Sequence, residues 1–171
     1  MEEWFERTIV GRYTAEREKQ FFAHYLERFA PCGVQTVVQQ GGQWLGLSEN
    51  VVAIPSDVLM TADAMAWESH SIDVLLMPHS HETAALTQVL HEASRVLKPE
   101  GRLVLTGFNP KSLWFFSKWF DGTRLPKKEH CLTLPALKQR LEDLDFEVEF
   151  GKFMVYLPAV NSQKGLRFWR F

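Results

Sequence analysis

Two histidines and a glutamate lie close together in the segment PHSHE at residues 78–82. A neutral imidazole can take a proton from an attacking oxygen or nitrogen, which makes His79 a candidate general base. The His-x-His pair, with Glu82 or His91, could instead bind a metal ion, although two histidines without a well-spaced third ligand are a weak zinc signal. In a third interpretation, residues 78 and 79 shape a turn and Glu82 caps the next helix or opposes its dipole. The residues alone leave all three interpretations open.

The elements around this segment predict a parallel β-α-β unit. A continuous apolar run from Val74 to Met77 precedes it, which is typical of a strand buried on both faces. Apolar residues then recur at helical spacing from Leu86 to Leu97, a Lys-Pro-Glu-Gly turn follows, and a second apolar strand runs from Arg102 to Thr106. In open parallel sheets ligands bind at the carboxyl ends of strands, so residues 78–82 and 107–110 are the expected site.

The segment after the second strand is unusually aromatic. Asn109 can cap a helix that begins at Pro110, and Trp114, Phe115, Phe116, Trp119 and Phe120 surround that helix on more than one side. Such a helix is expected to pack in the core or at an interface, and a role as a lid over an apolar substrate is the alternative.

The amino-terminal half predicts a shortened version of the same architecture. A helix capped by Thr14 is expected over residues 14–29, a strand over 36–39, and a turn at Gly41 and Gly42. Only residues 41–50 separate this strand from the next apolar run, 51–54, which leaves room for one or two helical turns. Residues 55–57 are too few to cross over to a further strand at 58–62, so a helix is expected to be missing there.

The carboxyl-terminal part predicts a helix over 134–144, a strand over 146–157 and a short basic-aromatic tail over 158–171. A further strand is expected beyond this point and none fits before Phe171, so either the chain is a shortened form or the sheet edge is completed differently. An open edge favours pairing with a second copy, which would make a homodimer.

Several of these motifs resemble a known superfamily. The His-containing strand tip, a helix ending in RVLKPEG and the strand GRLVLTGF resemble the second half of class I S-adenosylmethionine-dependent methyltransferases. LLMPHSHE followed by PEGRLVLTGFNPKSLWFF is similar to a bacterial group of type 11 methyltransferase-like proteins. The resemblance covers roughly residues 63–158. It implies an α/β fold with a three-layer, Rossmann-like and mostly parallel sheet, abbreviated here in its amino-terminal half.

The resemblance also implies a cofactor site for S-adenosylmethionine. The glycine turn would lie near the methionine part, and Asp57 is the nearest substitute for the carboxylate that holds the ribose. Asp63 and Ala64 match the acidic-Ala step at the adenine, although Asp63 could instead cap the turn over residues 64–66. The implied cofactor-binding residues are Gln40, Gly41, Gly42, Asp57, Asp63, Ala64 and Met77. His79 would be the catalytic residue, with His81, Glu82 and Asn109 on the substrate side.

Length and composition fit one domain over residues 1–171. The formal net charge of −2 carries no strong nucleic-acid signal, and no segment approaches the length of a membrane span. Cys32 and Cys131 have no short-spaced partner, which favours a cytoplasmic protein without a disulfide framework or a metal site. The expected function is methyl transfer from S-adenosylmethionine to a small-molecule or macromolecular acceptor. The alternatives are a non-catalytic binding or assembly module and, more remotely, a metal-dependent hydrolase.

Overall fold

The computed structural model describes residues 2–29, 33, 36–47, 51–54, 57–112, 115 and 127–155. The helices are α1 (Glu2–Arg7), α2 (Ile9–Phe29), α3 (Leu86–Val96) and α4 (Leu134–Glu142). The strands are β1 (Val37–Gln40), β2 (Val51–Ile54), β3 (Ile72–Pro78) and β4 (Leu97–Thr106). Short 3-10 turns span Gln43–Leu45 and Lys128–His130.

The four strands form one parallel sheet in the order β2-β1-β3-β4. In the register of the central pair, Val37 lies beside Val74 and Gln39 lies beside Leu76. Because all four strands run the same way, their carboxyl ends lie at one edge of the sheet and bring the segments after β1 and β3 together. The predicted parallel α/β sheet is confirmed.

Helices cover the two faces of this sheet and make three layers. On one face α3 packs through Val89, Ala93 and Val96 against a core that includes Leu75 and Met77. On the other face α2 contributes its aromatic side chains, which pack against alternate sheet residues. These contacts join Phe22, Tyr25 and Phe29 to Val74, Leu76 and Val104. The alternation follows from the two-residue period of a strand, which turns neighbouring side chains to opposite faces.

The predicted shortening of the amino-terminal half is also confirmed. One 3-10 turn connects β1 to β2, and the described residues between β2 and β3 contain no helix. That connection is instead fastened to α3 by polar contacts. Glu92 Oε1 accepts a hydrogen bond from the Met65 amide at 2.7 Å, and the Arg95 guanidinium donates to the Met65 and Trp67 carbonyls at 2.9 Å each.

The expected first residues of one helix and of one strand were wrong. Helix α2 begins at Ile9 rather than at Thr14, and the Thr14 hydroxyl donates to the Val10 carbonyl at 2.9 Å inside the helix instead of capping it. Strand β4 begins at Leu97, directly after α3, because the Lys-Pro-Glu-Gly segment is a bulge within the strand rather than a separate turn.

Two expected strands are not formed. In place of a strand over 58–62, the structure has a single antiparallel bridge between Thr61 and Ala64. Residues 146–155 carry no assigned strand, and residues 156–157 lie outside the described residues. The expected tail over 158–171 lies outside them too, as do residues 113–114 and 116–126, which hold most of the expected aromatic helix.

Candidate functional site

The turn after β1 is built around two glycines. Gly41 and Gly42 have φ angles of 76° and 69°, a left-handed conformation that glycine adopts without a steric penalty. The Gln39 side-chain amide donates to both glycine carbonyls, at 2.7 and 2.8 Å. A Cβ atom on Gly42 would lie 2.2 Å from Pro78 Cγ, so the tip of β3 packs directly on this turn. The glycines are therefore required by the packing of the two strand tips.

A shallow cleft of about 460 Å³ opens beside the glycine turn. Its volume falls in the range of small-molecule sites, roughly 300–1,000 Å³. We call it the glycine cleft, and it is lined by Glu2, Glu3, Gly41, Gly42, Gln43, Trp44, Pro78, His79 and Ser80.

Two polar atoms at the glycine turn are buried without a partner among the described residues. They are Gln40 Oε1, an acceptor, and Trp44 Nε1, a donor. Trp44 lines the cleft, whereas Gln40 precedes the turn and is not among the lining residues. A buried polar atom without a partner is costly, which makes the Trp44 indole a candidate donor to a ligand in the cleft.

His79 lies at the tip of β3 between two carboxylates. Its backbone has a φ of 58°, so the sequence-based expectation of a turn at residues 78 and 79 is confirmed. The ring Nε2 lies 2.7 Å from Glu18 Oε1 of α2, and Nδ1 lies 2.8 Å from Glu82 Oε2. All three side chains are at most 3% exposed. The arrangement ties helix α2 to the sheet edge where the site is expected.

The two carboxylates determine the protonation of His79. Burial lowers its pKa, but the charges and hydrogen bonds of Glu18 and Glu82 outweigh this effect and raise the pKa to about 10. The ring is then doubly protonated near neutral pH, and each N–H donates to a carboxylate. Because no lone pair is available, His79 in this geometry holds a proton rather than accepting one.

His81 shows the opposite behaviour. Burial lowers its pKa to about 4, with Glu82 acting to raise the pKa and the charged His79 to lower it. The ring is therefore neutral near pH 7. Its Nδ1 atom is buried and has no hydrogen-bond partner among the described residues.

Aromatic rings enclose the His79 imidazole. The centroids of Phe108, Phe5 and Trp44 lie 4.4, 5.2 and 6.3 Å from it. Glu82 binds the same region through its second oxygen, Oε1, which accepts a hydrogen bond from the Phe108 amide. The rings keep water from the charged group and so strengthen its electrostatic contacts.

His79 also lines a second and larger cavity, of about 1150 Å³. We call it the β4 cavity, because β4 forms one wall while α2 and residues 132–155 form the others. Thr14, Glu18, His81 and Thr106 line its polar end. Of the residues that line the two cavities, His79 is common to both.

The structure separates the expected cofactor residues into two groups. Gly41 and Gly42 line the glycine cleft, whereas the other five expected residues line neither cavity, and of these Gln40 directly precedes Gly41 in the chain. Asp57 Oδ2 accepts a hydrogen bond from the Ala53 amide at 2.9 Å and closes the turn after β2. The other three lie on the surface or in the core: Asp63 and Ala64 are exposed, and Met77 is fully buried.

The expected substrate-side residues lie close to one another. His81 and Asn109 line the β4 cavity, and Glu82 binds His79. Helix α3 begins at Leu86 with Ala85 as its cap, so the interpretation of Glu82 as a helix cap was wrong. Asn109 Oδ1 accepts a hydrogen bond from the Lys111 amide at 3.0 Å, as a residue that begins a turn would.

Sequence reasoning missed Glu18 and Trp44. A signal for Glu18 was present, because it lies three, four and seven residues before Phe21, Phe22 and Tyr25 and therefore on the apolar face of α2. A carboxylate on an apolar helix face is expected to have a buried partner. Trp44 carries no comparable signal in the sequence.

No cluster of three or more histidine, cysteine or acidic side chains that could hold a metal ion occurs within the described ranges. Within the same ranges no helix is long and apolar enough to cross a membrane.

The fold is that of a class I S-adenosylmethionine-dependent methyltransferase, as the sequence resemblance implied. The family model described as Methyltransferase domain matches residues 35–105, which include β1, β2, β3, α3 and most of β4. No curated protein matches the chain.

Solved structures of methyltransferases are similar to this chain. A SAM-dependent methyltransferase from Archaeoglobus fulgidus is similar over 75% of this chain and 69% of its own, with a TM-score of 0.55 and 21% identity, and this likeness supports the fold. A SAM-dependent methyltransferase from Thermotoga maritima is similar over 78% of this chain and 81% of its own, with a TM-score of 0.49 and 15% identity. One from Aquifex aeolicus is similar over 71% of this chain and 77% of its own, with a TM-score of 0.49 and 16% identity.

Proposed function

We propose that the protein transfers a methyl group from S-adenosylmethionine to an acceptor bound in the β4 cavity. The observation that carries the proposal is the meeting of two cavities at His79, one beside the glycine turn and one along β4. A group-transfer enzyme needs its donor and its acceptor in adjoining sites. The family match over residues 35–105 supports the choice of donor.

The residues at the glycine cleft fit the amino-acid end of this cofactor. An α-carboxylate needs a donor, and Trp44 Nε1 is a donor that lines the cleft and lacks a partner in the described structure. An α-ammonium group needs an acceptor, for which we propose Gln40 Oε1, an unpartnered atom of the residue before Gly41. The cofactor would supply a methyl group activated by attachment to a positively charged sulfur. The roles of Asp57, Asp63 and Ala64 toward ribose and adenine remain predictions.

His79 fits a positioning role in this reaction better than the role of general base. Its ring is protonated and bonded on both sides, so it fixes Glu18 and Glu82 where the two cavities meet. Direct displacement at a methyl carbon depends mainly on the alignment of the reacting groups. A rigid, enclosed junction between donor and acceptor sites serves that alignment.

Calorimetry with S-adenosylmethionine and S-adenosylhomocysteine on the full chain tests the donor site. Trp44→Phe removes the indole N–H but keeps a ring to stack on Phe5, from which Trp44 is separated by 4.1 Å between centroids. We expect this variant to bind either ligand about tenfold more weakly, because one hydrogen bond to a charged group is lost. Trp67→Phe is the matched control, since Trp67 Nε1 is likewise buried without a partner in the described residues but lies away from the cleft.

The same titrations separate the competing functions. Absence of binding to either ligand at millimolar concentration would overturn the proposal and favour a non-catalytic binding or assembly module. Equal affinity in Trp44→Phe and the parent chain would remove the indole from the cofactor site. Asp63→Ala tests the adenine expectation in the same way, and unchanged affinity would exclude Asp63 from the site. The cytoplasmic location and the homodimer remain predictions.

A further inference from the structure

The polar end of the β4 cavity holds three buried atoms without a partner among the described residues. They are Glu18 Oε2, His81 Nδ1 and Thr106 Oγ1. Their residues are only 2, 3 and 5% exposed, and all three line the cavity. Each of these atoms can accept a hydrogen bond, since the neutral imidazole of His81 offers one nitrogen as an acceptor and a hydroxyl oxygen has two lone pairs.

The charges at this end of the cavity favour a positively charged ligand. Two acidic side chains, Glu18 and Glu82, share the single imidazolium of His79, so one carboxylate is in excess. Glu82 has both of its oxygens bonded, one to His79 and one to the Phe108 amide. Glu18 has one oxygen bonded to His79 and the other buried without a partner in the described structure, so the excess acceptor belongs to a residue that lines the cavity.

Aromatic rings line the middle of the cavity. They belong to Phe21, Tyr25, Phe29, Phe108 and Phe150. Two cationic side chains already lie over these rings, Arg102 over Phe29 at 5.0 Å and Lys152 over Phe21 at 5.3 Å. Aromatic faces attract cations and also contribute apolar contact area. The wall therefore suits a ligand whose body is apolar and whose head is cationic.

Basic side chains near the cavity do not cancel this preference, because several are paired with carboxylates outside the polar end. Lys98 binds Asp73 at 2.8 Å, and Arg102 pairs with Glu149. Within the described ranges, the ion pair of Glu18 is with His79 and not with a lysine or an arginine.

We propose that the β4 cavity binds an amine, with its ammonium group at Glu18 Oε2 and its apolar or aromatic body along the rings of α2 and residues 108 and 150. A primary ammonium has three N–H donors, which equals the number of unpartnered acceptors at this end. The inference deepens the proposed function, since the bound amine would be the class of methyl acceptor, and it rests on that function only for the fate of the amine. For transfer, the ammonium would first give one proton to Glu18 Oε2, which would free the nitrogen lone pair. That lone pair would form the new N–CH3 bond while the electrons of the broken C–S bond go to the sulfur of the donor.

Binding of a defined probe pair to the full chain, without any cofactor, tests the inference. The probes are 2-phenylethylamine, which is cationic at pH 7, and 2-phenylethanol, a neutral molecule of similar size. We expect the amine to bind about tenfold more tightly by calorimetry, since a charge-assisted hydrogen bond is roughly twice as strong as a neutral one. Equal affinities for the two probes would overturn the inference.

Glu18→Gln removes the carboxylate while leaving a carbonyl oxygen that can still accept from His79. We expect this variant to lose the preference for the amine. The matched control is Glu16→Gln, an exposed position on the same helix whose carboxylate accepts a hydrogen bond from Gln20, and it should keep the preference. A preference unchanged in Glu18→Gln would show that the carboxylate is not the binding group.

Thr106→Val keeps the inference testable if Glu18→Gln fails to fold. It removes the hydroxyl at nearly constant volume and leaves the contacts of His79 unchanged. We expect amine binding to weaken about tenfold with alcohol binding less affected, since the hydrogen bond lost to the ammonium is charge-assisted. Unchanged amine affinity in this variant would contradict the inference.

The outcomes for the two proposals can be told apart. Amine binding without any binding of S-adenosylhomocysteine would support the inference and overturn the proposed function. Binding of S-adenosylhomocysteine without any preference for the amine would overturn the inference and leave the proposed function in place.

Discussion

The two halves of the sheet connect their strands by different means. Between β3 and β4 the chain makes the amphipathic helix α3, which buries Val89, Leu90, Ala93 and Val96. Between β1 and β2 it makes one 3-10 turn, held by side-chain amides that bond backbone carbonyls. The Gln43 amide donates to the Ile54 carbonyl at 2.9 Å as part of this arrangement.

The two halves are therefore stabilised by different interactions. The β3-α3-β4 half is stabilised by buried apolar area, which depends on many small contacts. The β1-β2 half is stabilised by a few specific hydrogen bonds and by glycine conformations, and it lines the glycine cleft. Substitutions in the first half should therefore lower global stability, whereas substitutions in the second should also change ligand binding.

The largest effect is expected for Leu90→Ala in α3. Leu90 is 1% exposed, and truncation of a buried leucine typically costs about 2–5 kcal/mol of unfolding free energy. Denaturant unfolding measures the change, with Leu59→Ala as the control because Leu59 is 91% exposed. A Leu90→Ala loss no larger than that of the control would show that α3 is not a stabilising layer.

Gly42→Ala should have the next largest effect. A left-handed alanine costs about 1–2 kcal/mol and crowding against Pro78 about 1–3 kcal/mol more. Gly33→Ala is the matched control, because Gly33 has a similar φ of 74° but no atom within 4 Å of the position that its Cβ would take. Equal losses in the two variants, measured by denaturant unfolding, would mean that backbone conformation alone, and not contact with the tip of β3, requires glycine at residue 42.

A smaller loss is expected for Gln39→Met. The substitution keeps the length of a 3% exposed side chain but removes the amide that bonds both glycine carbonyls, which costs about 1–3 kcal/mol. Gln20→Met on the exposed face of α2 should change stability by less than about 0.5 kcal/mol. If the unfolding free energy of Gln39→Met were unchanged, the claim that specific hydrogen bonds stabilise the β1-β2 half would be wrong.

Per pH unit the smallest effect is a slope of stability with pH, which tests the junction of the two halves. Because the pKa of His79 rises to about 10 on folding, its stabilisation is complete below the unfolded pKa of about 6.5 and is lost as pH rises toward 10. The slope from one proton is at most about 1.4 kcal/mol per pH unit. His79→Asn tolerates the left-handed backbone and cannot titrate, so its unfolding free energy should fall less over this range.

His81 is expected to determine the acid side of the profile of stability against pH. Its pKa falls to about 4 on folding, so its contribution is present above the unfolded pKa and is lost as pH falls from about 6.5 to 4. His81→Gln should reduce the loss of unfolding free energy below pH 6.5 and leave the loss at alkaline pH, which belongs to His79, unchanged. Parallel profiles of both variants and the parent chain in urea unfolding would refute this assignment of the two histidines.

The sequence was sufficient to predict the sheet and its shortened half, because buried strands and helix α3 have local patterns that need no tertiary knowledge. It could not predict the charge state of His79. That state depends on Glu18, which is 61 residues away in the chain and reaches the strand tip only when α2 packs on the sheet. Asp57 differs, because its carboxylate bonds the Ala53 amide within its own turn, a contact between residues only four positions apart.

The bulge in β4 determines where the chain can change its length. From Ile72 to Val74 strand β3 advances two positions while its partners on β4 advance from Leu97 to Arg102, so the extra residues project from the ladder. An insertion or deletion within 98–101 can be absorbed there without altering the pairing that follows. One residue added after Arg102 would instead exchange the two faces of the strand and turn Val104, which now packs beneath α2, toward the opposite layer. Natural length variants of this protein are therefore expected to differ at the bulge and to agree beyond it.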